Sequence, residues 1–344
     1  MLHTPLSAVV LGGGSWGTAL AHLLAHAGHR VTLVVRHADQ ADSCNSKHEN
    51  SQYLPGLPLH PSVRAIASEG FLFEEADCRR VLAEADLLVM VVPCQALRHT
   101  LERAVPFLSR HAVLVNAAKG IEIAGGHTVH EIVRQVAPDW LSRYSVLSGP
   151  SFAREVMQNK PTAVVLGCKD GALGARLREV FYTPWFRTYS STDVTGVELG
   201  GALKNVIAIA AGVSDGLAFG LNSRAALITR GLAEISRIGV AMGARQETFM
   251  GLSGIGDLTL TCSGQLSRNR QFGLRLGAGE TTQEILASIH SVAEGVPTTQ
   301  AICRIATEKD VEMPIAQAMF SVLYAGRDPY QVVQALMARR LKEE

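Results

Sequence analysis

Apolar positions along the chain follow two regimes. Up to about residue 190, short apolar runs alternate with helix-compatible stretches, and 7–11, 30–35, 86–92, 112–115, 145–147, 162–166 and 186–189 read as strands. Runs such as DLLVMVV at 86–92 are apolar at almost every position, as a parallel sheet covered on both faces requires; a strand wetted on one face would alternate. Helical stretches at 18–27, 39–50 and 173–181 separate some of these runs, which is the alternation of an α/β domain. From residue 193 the period becomes helical almost throughout: 193–213, 223–242, 269–276, 282–289, 298–308, 314–324 and 329–341. The pattern predicts an N-terminal α/β domain with a parallel sheet over 1–190 and an all-α domain over 191–344.

Composition narrows the class. A chain of 344 residues is long enough for two domains, each with its own core. With 47% hydrophobic and 18% charged residues and a net charge of +1, no global field draws the protein to nucleic acid or to an anionic membrane, so any anion must be bound locally. Six cysteines are scattered without a C-x-x-C pair, which suits reduced thiols in the cytoplasm and packing roles. The start of the chain has no basic region ahead of its short apolar run and reads as a first strand; no later segment is expected to span a bilayer, so stable membrane insertion is not expected. Histidine pairs at 22/26, 26/29 and 127/130 have metal-like spacings but lack third and fourth ligands, so no metal site is expected.

The first strand runs into Gly12-Gly13-Gly14-Ser15-Trp16-Gly17, and a helix follows. This is G-x-G-x-x-G in its proper setting. Gly12 allows the tight turn, Gly14 lets a pyrophosphate approach the backbone, Gly17 lets helix and strand pack closely, and the helix N-terminus faces the anion. Where an NAD-specific site usually carries an acid at the end of the second strand, this chain has Arg36 and His37, which favours NADP; an ordinary surface ion pair is the plainer explanation of the arginine. Tyr53, in the turn Tyr53-Leu54-Pro55-Gly56, either covers the cofactor or anchors its loop.

A second chemistry sits in the apolar run VELGGALKNVIAIAAG at 197–212, whose charged members are Glu198 and Lys204. An ammonium group on a buried helix is costly unless it is paired, snorkels out or is used chemically. Lys119 follows the strand at 112–115, on the sheet edge where α/β ligands lie. Ser151 is placed to cap a helix that begins after Ser148-Gly149-Pro150. Residues 252–263, LSGIGDLTLTCS, read as a glycine-punctuated loop presenting Asp257. Ser267-Arg268-Asn269-Arg270 then opens a helix, where an N-cap serine, backbone N–H groups, the dipole and two guanidinium groups can converge on a phosphate.

Taken together, GGGSWGTALA, HENSQYLPG, NAAKGIE, SGPSFA, ELGGALKNVIAIAAG and GLSGIGDLTLTCSGQLSRNRQFG resemble the bacterial type of NAD(P)-dependent glycerol-3-phosphate dehydrogenase over nearly the whole chain. The resemblance implies a Rossmann domain followed by a helical, 6-phosphogluconate-dehydrogenase-like domain, and reversible reduction of dihydroxyacetone phosphate to sn-glycerol 3-phosphate with NADPH or NADH, for glycerophospholipid synthesis. It implies cofactor contacts at Ser15, Trp16, Arg36, His37, Tyr53, Lys119, Ala153, Arg268, Val292 and Glu294, besides the glycines of the fingerprint. It implies substrate contacts at Lys119, Gly149, Ser151, Lys204, Asp257, Ser267, Arg268 and Asn269. Lys204 is the expected general acid, with Asp257 orienting it, and Lys119 is the third expected catalytic residue. Two rival readings are a related two-domain dehydrogenase acting on a 3-hydroxy acid or sugar-acid phosphate, and a dinucleotide sensor without turnover. The apolar helical half is compatible with a homodimer and equally with an internal core.

Overall fold

The computed structural model of the chain describes residues 4–289 and 292–338. Its contacts divide the chain into two compact units, one formed by residues up to 118 with 129–197, the other by 119–128 with residues from 198 onward. Each has its own buried apolar core. The division falls at 197/198 rather than at 190, inside a helix whose uniform apolar character hides it from the sequence. The ten-residue excursion 119–128 carries no periodicity that would announce it.

The first unit is built on eight strands: β1 (Ser7–Leu11), β2 (Arg30–Val35), β3 (Arg64–Ala67), β4 (Leu87–Met90), β5 (Val113–Asn116), β6 (Tyr144–Ser148), β7 (Thr162–Cys168) and β8 (Phe186–Ser191). Their order is β3-β2-β1-β4-β5-β6-β7-β8. Strands β1 to β6 pair in parallel, and all four residues of β4 are buried, as its unbroken apolar run requires. The sheet is not parallel throughout, because β7 runs antiparallel to β6 and β8 parallel to β7. The helix between β6 and β7, Ala153–Met157, has 5 residues and spans roughly 7.5 Å, too short to carry the chain back along a strand for a parallel return. The edge strand β3, four residues long, has no sequence period to reveal it. Its backbone is met by the Asn45 carboxamide, which donates to Ala65 O (2.9 Å) and accepts from Ala65 N (2.8 Å), occupying groups that another strand could otherwise claim.

β1 lies between β2 and β4, so successive crossovers leave it in opposite directions and open a crevice at its carboxyl end. The helix Ser15–His26 starts there, three residues before the start at 18 that its apolar period suggests.

The second unit is helical. Val194–Gly216 begins it and is followed by Gly220–Ala241, Gln246–Phe249, a π turn at Leu252–Gly256, Asp257–Ser263, Arg268–Gly277, Thr282–Ser288, Gly295–Glu308, Pro314–Ala325 and Pro329–Met337. Of the last expected helix, 329–341, residues 339–341 lie outside the described residues. Asp257–Ser263 is helical rather than a loop, with Leu258, Thr261 and Cys262 buried, while Leu252–Gly256 ahead of it is kinked, Gly254 lying outside helical dihedrals (φ -99°, ψ -105°). Contrary to the sequence expectation, Val194–Gly216 is long and apolar enough to cross a bilayer; its apolar window is wholly buried in the protein, as for a core helix.

Val194–Gly216 crosses Arg268–Gly277 at backbone contact. A Cβ at Gly212 would lie 2.0 Å from Arg270 O, one at Gly273 2.0 Å from Ile209 O, and one at Gly277 2.5 Å from Val213 O. Glycine pairs spaced by four residues on both helices put small residues on the facing sides. This contact fixes the helix bearing Lys204 against the helix that opens at Ser267. All six cysteines are free thiols, five of them buried.

Candidate active site

In the first unit the glycine loop leaves β1 at Leu11. Gly12 has φ +116°, and a Cβ there would sit 2.9 Å from the Val91 carbonyl. A Cβ at Gly17 would fall 1.8 Å from Gly12 O, so only glycine lets the helix close on the loop. Gly14 has nothing within 4 Å of its Cβ position, and no side chain caps the helix Ser15–His26. An open backbone at an uncapped helix start, with the positive dipole end behind it, fits a pyrophosphate. Ser15 Oγ donates to Tyr53 O (3.1 Å), holding the turn after residue 50 to the glycine loop, and Trp16 and Tyr53 are half-buried.

Arg36 follows β2 and is exposed; His37 lies 3.5 Å from Glu69 in an exposed pair. Ala153 opens the helix after β6. Gly149 (φ +136°) would carry a Cβ 2.9 Å from Val164 Cα, so its glycine has a local packing reason. Ser151 does not cap that helix as expected: Phe152 holds the cap position, and Ser151 Oγ donates to Gly149 O instead (2.9 Å). The short turn bends the serine hydroxyl back onto the loop and away from the helix N–H groups.

The second unit gathers Lys119, Lys204 and Asp257. Asp257 is the first residue of its helix and only 1% exposed. Its Oδ2 accepts from Lys119 Nζ (2.7 Å), and its Oδ1 accepts from Lys204 Nζ. Lys204 Nζ also donates to Thr261 Oγ1 (2.8 Å), and that hydroxyl spends its own hydrogen on Asp257 O (2.6 Å). Burial pulls the Lys204 ammonium down, Asp257 pushes it back up and Lys119 lowers it again, leaving it at about 8. For Asp257, burial raises the carboxyl, but Lys119 and Lys204 outweigh burial and hold it below the usual range. Two ammonium groups on one carboxylate leave the cluster net positive.

Next to this cluster a chain of carboxamides sets the backbone. Asn205 Nδ2 donates to Lys119 O (3.2 Å), Asn269 Nδ2 donates to Asn205 Oδ1 (2.9 Å), and Gly295 N donates to Asn269 Oδ1 (2.9 Å). Ser267 caps the helix Arg268–Gly277, its Oγ accepting from Arg270 N (3.2 Å). Arg268 is exposed at the first helical position. The expected convergence of two guanidinium groups does not occur, because Arg270 is held by Asp215 (Nε to Oδ2, 2.7 Å), which also binds Arg224. A residue two places on in a helix points to another face. Val292 is exposed, and Glu294 stands at the cap position of Gly295–Glu308 without bonding its N–H groups. Of the expected site residues, Lys119, Lys204, Asp257, Ser267, Arg268, Asn269, Val292 and Glu294 belong to the second unit. Gly149, Ser151, Ala153 and the residues at 12–17, 36–37 and 53 belong to the first. Among the described residues no group of three or more His, Cys, Asp or Glu is placed to hold a metal ion.

Sequence reasoning missed Asn205 and Thr261. Asn205 directly follows the conspicuous lysine, and Thr261 stands four residues after Asp257, on the same face once 257–263 is known to be helical.

A pyrophosphate-fitting Rossmann crevice and a buried lysine paired through an aspartate to a second lysine place the chain among two-domain NAD(P)-dependent dehydrogenases. Comparison with known proteins narrows this. The description "NAD-dependent glycerol-3-phosphate dehydrogenase N-terminus" matches residues 7–173, and its C-terminal counterpart matches 193–334. The chain belongs to the NAD-dependent glycerol-3-phosphate dehydrogenase family. It is 56% identical to the glycerol-3-phosphate dehydrogenase [NAD(P)+] of Lawsonia intracellularis over 100% of this chain and 96% of that protein. With the enzyme of the same name from Nitratidesulfovibrio vulgaris it shares 57% identity over 97% of this chain and 99% of the relative. The crystal structure of glycerol-3-phosphate dehydrogenase from Coxiella burnetii superposes with TM-score 0.90 at 37% identity, covering 98% of this chain and 100% of that one. A D-mandelate dehydrogenase at 11% identity and TM-score 0.62 shares the fold alone.

Proposed function

We infer that this chain reduces dihydroxyacetone phosphate to sn-glycerol 3-phosphate with NADPH or NADH, and runs the reverse oxidation, supplying glycerophospholipid synthesis in the cytoplasm. The observation that carries the reading is the Lys204 ammonium, held in a buried helix by Asp257 and Thr261. A bound reduced nicotinamide supplies the hydride. As hydride reaches C2, negative charge grows on the ketone oxygen, and a positioned acid must meet it. Of the three N–H donors on Lys204 Nζ, Asp257 and Thr261 take two, and the third serves the ketone oxygen. Lys204 polarises the carbonyl and donates the proton; in the oxidative direction its neutral amine takes that proton back. Lys119, on the other oxygen of Asp257, keeps the cluster positive and draws the phosphorylated substrate to it.

The substrate phosphate binds at Ser267, Arg268 and Asn269, where backbone N–H groups, the dipole and the exposed Arg268 guanidinium meet it. Gly149 and Ser151 complete the substrate contacts. Gly12, Gly14, Gly17, Ser15 and Trp16 hold the pyrophosphate; Arg36 and His37 take the adenosine end, where the Arg36 fork suits a 2′-phosphate. Tyr53, Ala153, Lys119, Arg268, Val292 and Glu294 make the remaining cofactor contacts.

The test compares dihydroxyacetone phosphate with dihydroxyacetone at saturating NADPH. Remote phosphate binding positions the reacting carbon, so the unphosphorylated ketone should lose kcat as well as affinity. Arg268→Ala should depress kcat/KM for the phosphate ester far more than for dihydroxyacetone. Similar kcat/KM values for both ketones with the wild type would end the glycerol 3-phosphate reading.

A further inference from the structure

We propose that Gln40 and Asn50 are positioning residues for the cofactor pyrophosphate, acting together on the carbonyl of Gly13. The inference rests on reading the first unit as the dinucleotide site. The fingerprint gives reasons for glycine at 12, 14 and 17 and leaves 13 open, yet 13 is crowded as well. A Cβ there would lie 2.4 Å from Val35 Cγ1 and 2.7 Å from Gln40 Nε2. Side chains crowd Gly13 because they converge on its carbonyl: Gln40 Nε2 donates to Gly13 O (2.5 Å), and Asn50 Nδ2 donates to the same oxygen (2.8 Å). Asn50 Nδ2 also donates to Thr18 Oγ1 (2.7 Å), so both of its hydrogens are committed. Gln40 is 6% and Asn50 1% exposed, and neither donor competes with bulk water.

A planar trans peptide turns this clamp into a directional device. Among the described residues no peptide bond is cis, and in a trans unit C=O and N–H point in opposite directions. Two donors occupy both lone pairs of Gly13 O and fix it toward the side of Val35, Gln40 and Asn50. The N–H of Gly14 then faces the opposite way, and the Gly14 backbone is itself open to an approaching anion, with no heavy atom within 4 Å of its Cβ position. With the carbonyl released, that peptide could rotate and turn a negative oxygen toward the pyrophosphate. The clamp therefore holds a donor toward the anion and an acceptor away from it, at no reorganisation cost when the cofactor arrives. Gln40 comes from the helix Ala38–Ser46 and Asn50 from the turn after it, so the segment after β2 sets the anion-binding face of the loop after β1.

The full-length protein tests this with Gln40→Leu, Asn50→Ala and the double variant, titrated with NADPH, with ADP and with adenosine, and assayed for both KM values. Each single variant should weaken NADPH and ADP about five- to tenfold, the scale of one buried hydrogen bond, and the double variant more. Adenosine, which has no pyrophosphate, should bind as to wild type, and the KM for dihydroxyacetone phosphate should hold while that for NADPH rises. Unchanged NADPH and ADP affinity in folded Gln40→Leu overturns the proposal even if Asn50→Ala fails to fold. Equal losses for ADP and adenosine overturn it too, since they would report a general collapse of the crevice. Failure of wild type to bind NADPH or ADP would instead sink the dinucleotide reading beneath it.

Discussion

In the proposed mechanism Lys204 is the residue on which the chemistry turns, and its environment would give the reaction a pH signature. The side chain is buried and held at about 8 by burial, opposed by Asp257 and assisted by Lys119. Reduction needs the ammonium and oxidation the amine. As pH rises through about 8, kcat/KM for dihydroxyacetone phosphate should fall while kcat/KM for glycerol 3-phosphate rises, in paired initial-rate profiles. Asp257→Asn removes the one influence that holds Lys204 up, so the reductive limb should move to lower pH and activity at neutrality should drop. A reductive limb that stays near 8 in that variant would mean Asp257 does not govern the lysine. The sequence reveals a charged residue out of place at 204, because the surrounding run is apolar. It does not reveal how two ammonium groups share one carboxylate, because Lys119 and Asp257 lie 138 residues apart.

At the scale of elements, the crossing of Val194–Gly216 over Arg268–Gly277 holds the proposed acid and the proposed phosphate site in one frame. A methyl group at Gly273 would stand 2.0 Å from Ile209 O, an acceptor on a backbone that cannot turn aside as a side chain would. Gly273→Ala should therefore separate the helices, at about 1–3 kcal/mol or more by the usual cost of overpacking. Thermal melting should register the loss, and kcat should fall further than stability alone explains, since Ser267 and Lys204 move apart. An alanine variant with wild-type melting temperature and kcat would show that the crossing is more compliant than it looks. Helix boundaries with caps, such as Ser267, are readable from sequence because the cap chemistry is local. Helix 257–263 is not, since the kinked glycine stretch ahead of it gives the whole segment the look of a loop, while burial of Leu258 and Cys262 shows only in the fold. A second local rule failed at Ser151, where a five-residue helix leaves the serine outside the capping position.

For the whole molecule, the change from alternating strands to continuous helices puts a boundary near 190, whereas contacts between residues distant in sequence divide the chain at 197/198 and assign 119–128 to the helical unit. Ile121 is fully buried in the core of the helical unit, and Lys119 binds Asp257 there, although both lie within the N-terminal half of the chain. A fragment starting at 191 lacks both. It should melt at lower temperature and less cooperatively, by circular dichroism, than the second transition or single transition of the intact chain. A fragment 191–344 that melts like the parent would show residues 119–128 to be dispensable for that core.

The same ten residues bear on descent. An ancestor assembled by joining a gene for a nucleotide-binding half to one for a helical half would have kept each half's residues on its own side of the join. Here a lysine of the helical half is encoded well upstream of it, between β5 and β6. Recombination at a single point after β8 would transplant a helical cassette with its aspartate but without the lysine that shares it. Viable exchange between relatives thus demands either two crossovers or partners that already agree at 119–128.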